Sequence, residues 1–190
     1  IAQALAYNTL MEANNDYNVP FKSDLGYFNE VIEFRKTQKI EFKDFSTYGK
    51  LTTMLEHERL FELLFKLEDI GNKESELVDL FTEKFLLTKD FYILHVVTGF
   101  HALHSLKEYF ENYDEVLNNF FVLAQIFMLF NDYSDVEVEH SVDPVFETPL
   151  EIGELRDAHQ IKLLGTCYDL QVEFNNDNFT KIISYIKEKG

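Results

Sequence analysis

Cysteine, proline, glycine and tryptophan are all scarce in this chain, and each shortage removes a class of protein from consideration. A single cysteine, Cys167, excludes an intrachain disulfide framework and fits a reducing compartment. With 3 prolines, 7 glycines and no clean alternating run of β-branched residues, the turn-rich pattern of a sandwich or barrel is missing. No apolar run approaches the ~20 residues that span a bilayer. Positive charge is short as well: 17 Lys and Arg stand against 34 Asp and Glu, a net charge of −17 at pH 7. A surface that acidic repels phosphate backbones and anionic lipid, so neither nucleic acid nor a membrane surface is an expected partner. Gly-rich phosphate loops, a GxSxG elbow, a CxxC pair and a dinucleotide fingerprint are also absent.

What the chain does have is apolar material at helical spacing. Hydrophobic residues make up 46% of its 190 positions, 19 of them Phe and 10 Tyr, enough for the core of one ordinary domain or part of a larger one. Apolar residues recur at steps of three and four, which predicts an all-α fold, a single helical bundle of about eight helices. The chain opens on Ile1, and IAQALAYNTLMEA reads as the middle of a helix with no N-cap and no signal-peptide pattern before it. The expectation is that a further N-terminal portion precedes it.

Helices are expected from there to Ala13, then over Asp24–Lys36, and from a Ser46 cap through Leu55, continuing with or without a break as HERLFELLFKLED towards Gly71. Others are expected over Glu74–Leu87, from a Thr88 or Asp90 cap to about Tyr109, and from Asp114 to about Phe130. Residues Asn131–Thr148 form a long acidic stretch without periodicity, expected to be a mobile segment or lid. Thr148-Pro149-Leu150-Glu151 has the form of a capping box, opening a helix that carries His159 and Lys162, and a last helix spans Asn178–Lys189.

Two stretches concentrate the chemistry: KDFYILHVVTGFHALHSL (Lys89–Leu106) and DAHQIKL (Asp157–Leu163). Both lie in apolar surroundings, where a histidine or lysine needs a partner. His159 and Lys162, three apart, share one helix face. A lysine on a dry face has its ammonium disfavoured, and the neutral amine can act as base or nucleophile or take up CO2 as a carbamate, an anionic metal ligand. The ordinary alternative has Lys162 reaching out to solvent and His159 bonding a backbone group. His95 and His101, six apart, lie about 120° around a regular helix and ~9 Å along it. Both reach one ion only if the helix unwinds near Thr98-Gly99; otherwise one is a ligand and the other a supporting or core residue. His104 is a minor candidate, His57 is expected at the surface or in a helix–helix contact, and His140 in solvent.

DFYILHVVTGFHAL (Asp90–Leu103) resembles a segment of the questin oxidase-like family that reads approximately GDFTLLHAVTGTHALR. Asp157–Lys162 resembles that family's later DEHVIK-type motif, and IAQALAYN resembles the stretch after its HGLIR-type motif, with Asn8 where a Trp is usual. Order and rough spacing agree along essentially the whole chain. The resemblance implies an all-helical, cytoplasmic oxidoreductase that opens the quinone ring of anthraquinones with O2 in a Baeyer–Villiger-type reaction or by C–C cleavage. Its activity is described as NADPH-dependent, and related ring-openers use non-haem iron. It implies Fe(II) held by His95, His101, His159 and a carbamylated Lys162, with His159 and Lys162 catalytic and Phe91, Tyr92 and Phe100 packing on a small aromatic substrate. His104 stands where the family has arginine, and Ala158 where it has an acidic residue. Two other readings remain: a helical interaction module that kept the fold without the chemistry, and a metal-dependent hydrolase, since carbamylated lysine also bridges metals there.

Overall fold

The computed structural model describes residues 19–42, 44, 46–57, 59–131, 133 and 157–189. The expected first helix, the acidic stretch beyond Asn131 (save Tyr133), the Thr148–Glu151 capping box and His140 lie outside these residues. The chain is all-α, with one two-stranded parallel pair as its only sheet among the described residues. Its contacts divide into two compact units, residues 1–74 with 103–135, and residues 75–102 with 136–190. No helix among the described residues is long and apolar enough to cross a membrane.

In the first unit, Asp24 caps a 3₁₀ turn at Leu25–Tyr27, and α1 (Phe28–Thr37) follows, burying Phe28, Val31, Ile32 and Phe34. Ser46 caps α2 (Thr47–Leu55) by accepting from the Gly49 amide, as its position before an apolar-periodic run predicts. The helix expected to continue towards Gly71 breaks after Leu55 and does not reach beyond Leu63. One turn, α3 (Leu60–Leu63), is followed by an extended segment. There β2 (Lys66–Leu67) pairs in parallel with β1 (Phe21–Lys22), through Lys66 N to Pro20 O at 2.8 Å and Glu68 N to Lys22 O at 3.0 Å.

Local pattern loses here to tertiary hydrogen bonding. The other edge of the extended segment is satisfied by two buried side-chain amides of α6 (Tyr113–Met128). Asn118 accepts from Leu67 N (2.7 Å) and donates to Leu67 O (3.0 Å); Gln125 accepts from Phe65 N (3.3 Å) and donates to Phe65 O (2.7 Å). α6 itself starts at an Asn112 cap and buries residues nearly all round. Buried Arg35 ties α1 to its end, donating to Leu129 O at 2.8 Å and, through its other arm, to Gln38 O.

The second unit holds most of α4 (Glu74–Thr88) and α5 (Phe91–His104), with α7 (Ala158–Phe174) and α8 (Asp177–Lys189). Lys89, at φ 51°, ends α4 in the left-handed conformation, and Asp90 then caps α5 by accepting from the Tyr92 and Ile93 amides. α5 stops at His104, short of the expected Tyr109, and only a 3₁₀ turn at Lys107–Tyr109 follows. α7 and α8 form an antiparallel hairpin turned at Asn175, itself left-handed at φ 47°. Leu163, Leu164, Cys167 and Leu170 form the buried stripe of α7, and Phe179, Ile182, Ile183 and Ile186 that of α8. Both stripes follow the i, i+3/i+4, i+7 spacing legible in the sequence.

Replacing Gln125 or Asn118 by Leu strands two buried backbone groups in each case. Each variant is expected to lose about 2–4 kcal/mol of unfolding free energy in urea denaturation. A loss near zero in both would show that the amides do not hold the extended segment.

Candidate functional site

The four residues singled out in the sequence all fall in the second unit, on α5 and α7. Asp157 is extended and caps α7, its Oδ1 accepting from the His159 amide at 2.8 Å. The helix bearing His159 and Lys162 therefore starts at Ala158 and does not run unbroken from Pro149. The same carboxylate oxygen lies 3.2 Å from His159 Nδ1. Its backbone hydrogen bond to His159 holds the Asp157 carboxyl below its ordinary pKa, outweighing the opposing effect of desolvation.

One turn into α5, His95 Nδ1 lies 2.8 Å from Phe91 O. The His95 and His159 rings are 5.4 Å apart, and the Phe91 ring touches both, at 4.4 and 5.1 Å between centroids. Both imidazoles are only half-buried and Phe91 is half exposed, so this cluster opens to solvent. Phe91 O and Asp157 Oδ1 can only accept, which fixes Nδ1 as the donor in each ring. In the neutral rings Nε2 is then left with its lone pair on both histidines.

His101 stands apart from this pair. The helix is regular through Thr98-Gly99, with Thr98 Oγ1 donating to Leu94 O, so the unwinding that would bring His95 and His101 together does not occur. His101 faces further along α7 instead: Nδ1 lies 3.2 Å from Thr166 Oγ1 and Nε2 3.3 Å from Asp169 Oδ2. Both its nitrogens are engaged, as suits a residue that holds two helices together.

Lys162 is exposed. The desolvation on which a neutral or carbamylated lysine depends is therefore missing. Of the three aromatics expected to meet a substrate, Phe100 is buried between Phe81 and Phe174, leaving Phe91 and half-buried Tyr92 accessible. Burial pushes the Cys167 thiol pKa up, which removes it as a nucleophile.

Among the described residues no group of three or more His, Cys, Asp or Glu side chains could hold a metal ion. Of the set His95, His101, His159 and Lys162, the His95 and His159 rings come together, while His101 meets Thr166 and Asp169 and Lys162 is exposed. The fit is partial: His95 and His159 present two imidazole donors whose Nδ1 protons are already held by oxygen acceptors, the usual arrangement behind metal-ligating histidines.

One histidine ranked as minor is the most buried of those described. His104, 6% exposed at the end of α5, meets Glu74 Oε1 at 2.9 Å in the first unit, and the Tyr113 hydroxyl donates to the same oxygen at 2.5 Å. Glu74 lies 30 residues from His104 and 39 from Tyr113 along the chain, so no local pattern could reveal the cluster. His57 packs edge-on to Phe34 at 5.4 Å, the helix contact expected for it.

No protein-family model, curated protein or solved structure matches this chain.

The depressed Asp157 pKa fixes the sign of a pH effect. Its contribution to stability is complete above the unfolded carboxylate's pKa and is lost as pH falls through the lower folded value. Asp157→Asn can accept the same amide bond without titrating. The stability gap between native and variant chains, read from thermal unfolding, is expected to shrink from neutral pH to about pH 3. A gap that is constant with pH would mean the charge is not involved.

Proposed function

We propose that the Phe91–His95–His159 cluster is the working site of an oxidoreductase resembling the questin oxidase-like enzymes, acting with O2 on a flat polycyclic ketone or quinone. The observation that carries this reading is the pair of imidazoles 5.4 Å apart, each with Nδ1 held by an acceptor and Nε2 left basic. Motif resemblance supports it independently, since His95 and His159 come from the two separate segments that carry the likeness.

His95 and His159 would supply two ligands to a divalent ion, Fe(II) in the resembling enzymes, leaving its other positions to water, substrate or O2. When bound, such an ion supplies O2 activation. The chain's own residues bind and orient. Phe91 offers an exposed ring face to a planar substrate, and Asp157 and Phe91 O fix the tautomers that keep both Nε2 atoms basic. His101 braces α5 against α7 and stands outside the donor set.

A second reading, a helical interaction module without chemistry, is favoured by the exposed Lys162 and by the lack of any three-donor group among the described residues. Metal titration separates the two. Co(II) is added to the 190-residue chain and its visible absorption followed. His95→Ala and His159→Ala are each expected to weaken binding by about tenfold or more, and His101→Ala by less than about twofold. Oxygen uptake with Fe(II) and an anthraquinone should disappear in the first two variants. If the native chain binds Co(II) no better than the His95→Ala/His159→Ala double variant, the site reading is wrong and the module reading stands.

A further inference from the structure

Phe91 opens α5 directly after the Asp90 cap, and it is half exposed where Phe100 on the same helix is buried. The four-residue step from Phe91 to His95 puts both rings on one face of the helix. Their centroids are 4.4 Å apart and their planes 55°. The same ring reaches the first turn of α7 and meets His159 edge-on, at 5.1 Å and 64°. With the His95–His159 contact at 5.4 Å, the three rings form a closed set. All are tilted or edge-to-face, the arrangements aromatic rings prefer over a face-to-face sandwich.

The two histidines are not anchored alike. His95 Nδ1 bonds Phe91 O at 2.8 Å, a backbone acceptor fixed by the helix itself. His159 Nδ1 meets the Asp157 carboxylate at 3.2 Å, the long end of the hydrogen-bond range. The Asp157 side chain is 54% exposed and that of His159 43%, so water competes for this bond. One long hydrogen bond to an exposed carboxylate leaves an imidazole free to turn about its side-chain torsions. Contact with the Phe91 ring restricts that turning, and it does so from the helix that carries His95.

We infer that Phe91 is a positioning residue, whose ring holds the His159 imidazole in the orientation that lets His159 and His95 act as a pair. This role rests on the two histidines donating to one ion, as proposed above, and it gives the pair a support whose side chain has no donor atom. Phe91 then serves twice. Its carbonyl sets the His95 tautomer whatever side chain stands at position 91, whereas its ring acts on His159. A change of side chain therefore disturbs the tautomer of one histidine and spares that of the other. General loosening of the fold does not produce that selectivity.

The test compares Phe91→Leu and Phe91→Tyr in the 190-residue chain, with circular dichroism confirming native helix content in both. Heteronuclear NMR of the metal-free chain, at about pH 8.5 where an ordinary imidazole is neutral, reads the tautomer of each ring. In Phe91→Leu the His159 signals are expected to move towards the mixed-tautomer pattern of a solvated histidine, with His95 still in its Nδ1–H form. Co(II) affinity should fall about fivefold in that variant, and Phe91→Tyr, which keeps the ring, should stay within about twofold of the native chain. Phe174→Leu, at the other end of α7, should change neither readout. Unchanged His159 signals or unchanged Co(II) affinity in Phe91→Leu overturns the proposal, as does an equal shift of the His95 tautomer or a Tyr variant that fails as Leu does. A native chain that binds Co(II) no better than the His95→Ala/His159→Ala variant removes the two-donor reading instead. The NMR pattern, taken without metal, then still decides whether the Phe91 ring holds His159.

Discussion

Two buried amides decide how the first unit is built. Asn118 and Gln125 lie two turns apart on α6, and each answers both the N–H and the C=O of one residue in the segment Phe65–Leu67. A two-residue strand has little stability of its own. Its hydrogen bonds to β1 use one edge, and without the amides the other edge would leave buried backbone groups unpaired, at a cost of about 1–3 kcal/mol each. The amides thus act as a third strand contributed by side chains. They let a helix as thoroughly buried as α6 lie against an extended segment, with Phe65 and Leu67 locked into the core beside Phe121.

That constraint also marks the limit of local pattern. FELLFKLED has helical spacing, and nothing within it signals strand; the deciding residues lie more than 50 positions downstream. Elements whose signals are local were legible: the Ser46 cap, the start of α4 at Glu74, the Asp90 cap and the α8 stripe all stand within a residue or two of where the sequence puts them. Errors fall where tertiary hydrogen bonds override periodicity, and at ends, where α5 gives way to a 3₁₀ turn after His104.

The site divides along the same line. That histidines from two distant segments meet was legible, since His95 and His159 do come together. Which of the four candidates meet was not, because that depends on helix regularity. A straight helix keeps residues six apart about 120° from each other. α5 stays straight through Gly99, so His95 and His101 find separate partners on α7. The burial of Lys162 was the weakest inference, for an apolar pair can face inward while the lysine directly before it faces out. Leu163 and Leu164 do face inward, and Lys162 does not.

α7 therefore presents three faces from one stretch of sequence. The face towards α8 is aliphatic and fully buried, and its role is packing. The face towards α5 carries His159, Thr166 and Asp169, polar groups that each meet a partner on that helix or its own cap. The outward face has an apolar stripe with a charged flank. In the sequence these faces are interleaved every third or fourth residue, so Lys162 sits next to Ile161 of one face and Leu163 of another. Its position on the helix puts it with the outward set, exposed to solvent. Apolar neighbours in sequence therefore do not decide which way Lys162 faces, because adjacent residues on a helix point about 100° apart.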